Sequence, residues 1–242
     1  EPTMRRAFEE GIDIHSLTAA MIFKIPVSEI SDKPGSSTLG DGTKSQRHWG
    51  KSCNHALNYD LGYKKFSLMC DITEREGKSL VERYNQIYPN IRGLYHKHIE
   101  EMLYKNRRVA NCYGWERSFL GQCGDDLFKE AYAQPAQSTV AEKINLDGIL
   151  PIYYDPELSQ VELLNQVHDS IWYQIPLSLG WPRIAELLLK IHSYMERPVP
   201  YSDPFVIPVE SKIGNNFGEM WKVSTKGASI ESLASELATT HS

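Results

Sequence analysis

The chain has 242 residues, 41% of them hydrophobic and 24% charged, with a formal net charge of −5. That is enough chain for one large or two small globular domains with a real core, and the negative balance excludes nucleic-acid binding through bulk charge, leaving only a local basic patch. No apolar run approaches membrane-spanning length, no signal peptide is visible, and four cysteines without a Cys-x-x-Cys pair exclude a zinc knuckle or dithiol redox motif and fit a reduced, intracellular setting.

Over residues 4–23, Met4, Ala7, Phe8, Ile12, Ile14, Leu17, Met21 and Ile22 recur at helical spacing, interrupted by Gly11. This predicts a short helix ending near Glu10 and a second one capped by Asp13. Residues 31–45 are polar and glycine-rich, which predicts a mobile loop that orders when ligand binds. Residues 46–59 predict a helix. On it Arg47, Lys51, His55 and Tyr59, each about 40° from the last, make one stripe with Asn54 beside it. Two cations and a terminal Tyr suit phosphates and a stacked base, while a solvated basic face fits the segment equally well. Thr73 and Glu76 form a capping-box pattern opening a helix that runs to about Tyr88. Another helix is predicted over 90–106, with His96 and His98 on different faces and both solvated.

After Asn106 the texture changes. Residues 107–119 predict a hairpin turning at Tyr113-Gly114. Gly124-Asp125-Asp126 reads as a turn with a helix cap, and residues 126–146 predict a helix with Pro135 at a kink or break. Gln166-Val167-His168-Asp169-Ser170-Ile171 lies between two apolar runs, which predicts strand, tight turn, strand over 160–176 with His168 and Asp169 at the tip. A carboxylate held between buried strands is rigid and suits a hard cation such as Mg²⁺; alone, a His-Asp pair is more often just turn chemistry. Residues 180–194 predict an amphipathic helix, residues 204–210 a strand, and the tail from about Thr225 a weak helix or disorder. No internal repeat is present. One boundary falls near residue 107, where an all-helical part gives way to a mixed one.

Taken in order, these landmarks resemble family A DNA polymerases, the bacterial polymerase I type, with phage members the most similar in character. The resemblance covers about residues 5–223. Asp13-Ile14-His15 resembles the family's Asp-Ile-His segment, and Arg47-x-x-x-Lys51-x-x-x-His55-x-x-x-Tyr59 its fingers motif. Gly114-Trp115-Glu116-Arg117 and Pro135-Ala136-Gln137-Ser138-Thr139 resemble its primer-and-template segments. Gln166-Val167-His168-Asp169-Ser170 resembles its palm motif, and Val209 to Trp221 its C-terminal strand. The implied fold is α/β (α+β): a mostly helical fingers subdomain over 1–106, the C-terminal part of an antiparallel-sheet polymerase palm over 107–223, and a tail over 224–242. The implied activity is template-directed addition of dNTPs to a primer 3′-end by two-Mg²⁺ phosphoryl transfer. His15, Arg47 and Lys51 would hold the triphosphate, with Lys51 also donating a proton to the pyrophosphate leaving group. Tyr59 would stack at the base pair, and His55 would stand at the sugar ring where the family has Phe or Tyr. Arg117, Gln137 and His168 would touch the primer-template minor groove, and Asp169 would bind the catalytic Mg²⁺ ions.

Two departures shape the expectation. Ser170 stands where most members have Glu, a His-Asp-Ser triplet shared with the related single-subunit RNA polymerases. Only twelve residues precede Asp13, and none forms the family's Asp-x-Ser-x-x-Glu motif, which carries another metal-binding Asp. One Asp cannot organise two Mg²⁺ ions. The chain is therefore expected to be the C-terminal part of a split or cleaved polymerase, inactive until a second polypeptide supplies that motif and the thumb, with or without an exonuclease domain. Its partners would be primer-template DNA, a dNTP and that second chain, with no membrane, in the cytoplasm (the host's, if phage-encoded). A piece of a single-subunit RNA polymerase, a non-catalytic DNA-binding module, and a shortened piece of one long polymerase are the alternatives.

Overall fold

Local capping decides where the first helices of this structure, a computed structural model describing residues 1–240, begin. α1 (Pro2–Glu9) opens on a proline at its first turn, where the missing N–H is no loss. α2 (Ile14–Phe23) is capped by the Asp13 carboxylate, which accepts from Ser16 N at 2.9 Å, and ends on a left-handed Lys24. Residues 31–45 fold back on themselves, with Gly35 N donating to Thr43 O at 2.8 Å and Ser37 N to Lys44 O at 3.3 Å. α3 (Gln46–Leu57) follows, capped by Ser45, and then α4 (Tyr63–Cys70). α5 (Glu74–Ile87) carries the complete capping box: Glu76 N donates to Thr73 Oγ1 at 3.2 Å and Thr73 N to Glu76 Oε2 at 3.0 Å. Thr73→Ala is expected to lower the stability of this helical unit by about 1 kcal/mol, read by denaturant titration.

The chain divides into two units, Glu1–Ala136 and Gln137–Ser242. In the first, Ile22 of α2, Trp49 and Cys53 of α3, Phe66 of α4, and Tyr84 and Tyr88 at α5 form one core. α2 and α3 pack with almost no space between them. A Cβ on Gly50 would lie 2.0 Å from His15 O and 2.9 Å from Ala19 N. A π-helical segment, Ile91–His96, leads into α6 (Lys97–Asn106). The antiparallel pair β1 (Arg108–Ala110) and β2 (Glu116–Ser118) packs with α6 and with α7 (Asp125–Lys143) through Leu103, Val109, Phe119 and Tyr132.

In the second unit, a π-helical segment Ile144–Ile149 continues α7 into α8 (Leu150–Tyr154). The hairpin β3 (Glu162–Val167) and β4 (Ser170–Gln174) comes next, with a register shift between Leu163 and Asn165. α9 (Trp181–Met195) packs Leu187 and Ile191 against Ile152, Leu158 and Val161. Its Ile184 and Leu188 share a second core with Leu233 and Leu237 of α10 (Ile230–Thr240). Between them lies the hairpin β5 (Ser211–Asn216) and β6 (Glu219–Val223). The mixed α+β class is as expected, with three separate two-stranded antiparallel sheets among the described residues. No helix among these residues is long and apolar enough to cross a membrane.

Several local expectations are corrected. The predicted strand over 204–210 does not form; only an isolated bridge, Val199 to Phe205, survives there, because Pro204 and Pro208 each remove a ladder donor. The predicted helix over 46–59 stops at Leu57, and Tyr59 lies in the turn beyond it. His96 is buried, not solvated: its Nε2 lies 2.8 Å from Asn58 O and its ring stacks on Tyr132 at 3.9 Å. The predicted helix through Pro135 runs on without breaking there. The tail forms α10 with Leu233 and Leu237 buried; Thr240 is its last described residue, and residues 241 and 242 lie outside the described residues.

Candidate active site

The first cluster belongs to the α2–α3 face of the first unit. Because Gly50 lets the two helices touch, the head of α2 is brought against the predicted stripe of α3. His15 and His55 rings lie 5.7 Å apart. Arg47 reaches across as a fork to Asp13, with Nε to Oδ2 at 2.8 Å and Nη2 to Oδ1 at 3.0 Å; a looser contact at 3.7 Å joins its Nη1 to Asp32 of the loop. Burial works to raise the Asp13 carboxyl, but hydrogen bonds from Arg47 and Ser16 outweigh it and hold the group well below the usual carboxylate range. Lys51 and His55 are exposed, and Lys51 has no ion-pair partner among the described residues. The His15 imidazole is pushed below its ordinary value, first by burial and then by the charges of Arg47, His55 and Lys51, with Asp13 opposing. So this face offers one fixed guanidinium, one free ammonium and a neutral imidazole. Tyr59, beyond the end of α3, is partly buried against the core around Leu103 and Val109.

Asp13 and Asn54 are the two residues of this cluster that sequence reasoning did not assign. Asp13 was recognisable as a cap but not as the anchor of Arg47, a contact 34 residues away in sequence. A glycine at position 50, inside a helix where it costs about 1 kcal/mol relative to Ala, was the available signal of a close helix approach. Asp13→Asn tests the anchor cleanly, since Asn caps a helix as well as Asp. Under the nucleotide-binding role that the sequence resemblance implies for this face, the expected result is an unchanged far-UV spectrum with nucleotide affinity weakened by about threefold to tenfold, as one charge-assisted fork is lost.

The second cluster is the β3–β4 tip in the second unit. His168 adopts a left-handed φ of 52°, and Ser170 Oγ donates to Val167 O at 2.8 Å, clipping the turn shut. Ser170 therefore has a structural role at this tip. Asp169 is exposed, with no hydrogen-bond or ion-pair partner among the described residues. The flanking strands are less buried than expected: Leu164 is 48% and Val167 44% exposed. A groove of about 950 Å³ runs beside the hairpin, lined by Asp169, Trp172, His192, Lys212 and Phe217 among others. Trp172 Nε1 and His192 Nε2 are buried there without a hydrogen-bond partner among the described residues.

Of the remaining candidates, Arg117 is exposed on β2, its Nη2 2.8 Å from Glu130 and its guanidinium 4.8 Å over the Phe119 ring. Gln137 is exposed on α7. Among the described residues no group of three or more His, Cys, Asp or Glu side chains is placed to hold a metal ion.

Comparison with known proteins decides the family. The profile of DNA polymerase family A matches residues 1–221. The chain belongs to DNA polymerase family A. It is 27% identical over 217 residues to DNA polymerase I of Deinococcus radiodurans, covering 86% of this chain and 21% of that protein. It is 26% identical over 230 residues to the thermostable DNA polymerase I of Thermus thermophilus, covering 92% of this chain and 24% of that one. It therefore spans about a fifth to a quarter of the length of these curated relatives. Its fold is similar to the POL domain of Pol1 from M. smegmatis in complex with DNA primer-template and dNTP, with a TM-score of 0.68 at 20% identity over 84% of this chain and 34% of that one. Family membership agrees with the order of motifs along the sequence.

Proposed function

We propose that this family A chain is the nucleotide-binding fingers and the C-terminal palm of a template-directed DNA polymerase. The observation that carries this reading is the α2–α3 face, where His15, Arg47, Lys51 and His55 converge. In this reading Arg47, oriented by Asp13, and Lys51 bind the triphosphate of a dNTP, and Lys51 protonates the departing pyrophosphate. His55 lies at the sugar and Tyr59 at the base pair, while Arg117, Gln137 and His168 meet the primer-template minor groove. The subdomain division at 106/107, with a tail from 224, belongs to the same reading. Phosphoryl transfer needs mainly positioning and charge neutralisation, and fixed cations supply both.

Asp169 suits a hard divalent cation: a carboxylate on a clipped hairpin tip, exposed and with no ion-pair partner among the described residues. Mg²⁺, when bound, would neutralise charge on the phosphate oxygens. Asp169 would be one of its ligands, and one carboxylate does not complete the coordination. We propose that the second carboxylate comes from the Asp-x-Ser-x-x-Glu segment of a partner chain, on a strand that docks beside β3–β4. Supporting this are the half-exposed Leu164 and Val167 and, among the described residues, a sheet of two strands and Trp172 and His192 nitrogens in the groove with no hydrogen-bond partner. Co-purification from the source tests it: a second polypeptide bearing that motif is expected to travel with this chain. A native molecule of one long polypeptide would instead place the motif on the same chain.

A further inference from the structure

A buried line of hydrogen bonds leads from the core of the first unit to His15. Tyr88 Oη lies 2.7 Å from Thr18 Oγ1, and Thr18 Oγ1 lies 3.0 Å from Asn54 Oδ1 and 2.9 Å from Ile14 O. The other arm of the Asn54 amide lies 3.1 Å from His15 Nδ1 and 3.3 Å from Ile14 O. A backbone carbonyl only accepts. The arm facing Ile14 O must therefore be the NH₂, and its oxygen must turn to the Thr18 hydroxyl. Tyr88, whose phenol is kept protonated first by burial, then donates to Thr18. Asn54 itself is buried, so water does not compete for these bonds. The orientation of the amide leaves His15 Nδ1 a single role, that of acceptor.

We propose that Asn54 is a positioning residue that fixes His15 as the neutral tautomer protonated at Nε2. This rests on reading the α2–α3 face as the nucleotide site, and it states what His15 brings there: a neutral N–H donor aimed by its partner rather than a third positive charge. The groups that set the charge of His15 are Asp13 on its own helix and Arg47, Lys51 and His55 on α3. Two of these neighbours carry fixed positive charge, which disfavours a second proton on the ring, and a proton on Nδ1 would meet the Asn54 NH₂.

Nuclear magnetic resonance of the native protein, labelled with ¹⁵N at histidine, tests this without nucleotide. His15 is assigned by its loss in His15→Gln. Near neutral pH the long-range ¹H–¹⁵N spectrum is expected to show Nδ1 unprotonated and Nε2 protonated. Asn54→Asp, which can only accept, is expected to move a proton onto Nδ1. A wild-type ring protonated at Nδ1, or an Asn54→Asp spectrum identical to wild type, would overturn the proposal; the wild-type spectrum decides even if the variant folds poorly. Separately, His15→Ala in the assembled polymerase is expected to raise the KM for dATP about threefold to tenfold, the range for one lost hydrogen bond. An unchanged KM with the expected tautomer would overturn the nucleotide reading of this face and leave the role of Asn54 intact.

Discussion

Asp169→Asn is expected to abolish primer extension by the assembled polymerase, lowering kcat by on the order of 10³-fold or more, while leaving the melting temperature unchanged. The two halves of that expectation have separate causes. Asp169 is exposed and makes no hydrogen bond or ion pair among the described residues, so its charge contributes little to folding, and surface substitutions of this kind fall within about 0.5 kcal/mol. The turn is held by the Ser170 to Val167 bond and the left-handed His168, neither of which the substitution touches. What is lost is the anionic oxygen that a hard cation requires, and Asn, although similar in shape, does not supply it. A non-catalytic module that only keeps the polymerase shape would show no loss of synthesis. Loss of activity together with a lowered melting temperature would mean that the hairpin had been disturbed instead.

Gly50→Ala is expected to act in the opposite order, through stability first and activity second. The added Cβ would meet His15 O at 2.0 Å and Ala19 N at 2.9 Å, both backbone atoms that cannot turn aside. Relief requires α2 and α3 to separate. Overpacking of this kind costs about 2–3 kcal/mol, or a fall in Tm of about 5–10 °C for a chain of this size. The same separation shifts His15 and Asp13 relative to Arg47, Lys51 and His55. Displacement of positioned groups by about 1 Å costs up to about a hundredfold in rate. Thermal denaturation and the KM for dNTP should therefore worsen together. A variant with normal stability and normal KM would show that the helices do not approach as closely as described.

What could be read in advance follows from the range of the interactions involved. Asp13 as a cap, the Thr73–Glu76 box and the tight turn at His168-Asp169 are each set within a few residues, and all three form as expected. α9 was equally legible, because Ile184, Leu187, Leu188 and Ile191 repeat at helical period and face two cores. The misreadings arise where distant residues intervene or where the helical period changes. His96 lies in a π-helical segment, where the regular helical period does not hold, and stacks on Tyr132, 36 positions away. Proline at 204 and 208 overrode an apolar pattern that otherwise reads as strand. Within the candidate site, the types of residue on the α3 stripe were visible from spacing alone. That Asp13 anchors Arg47 and Asn54 orients His15 was not, since both contacts exist only because α2 and α3 touch at Gly50.

The most direct test of the central claim is primer extension by the purified 242-residue chain, with Mg²⁺, dNTPs and a primed template, in the absence and presence of a polypeptide carrying Asp-x-Ser-x-x-Glu. Extension is expected only when both are present, because in the proposed reading Asp169 supplies one of two metal-binding carboxylates and the other polypeptide supplies the second. Extension by this chain alone would contradict the account.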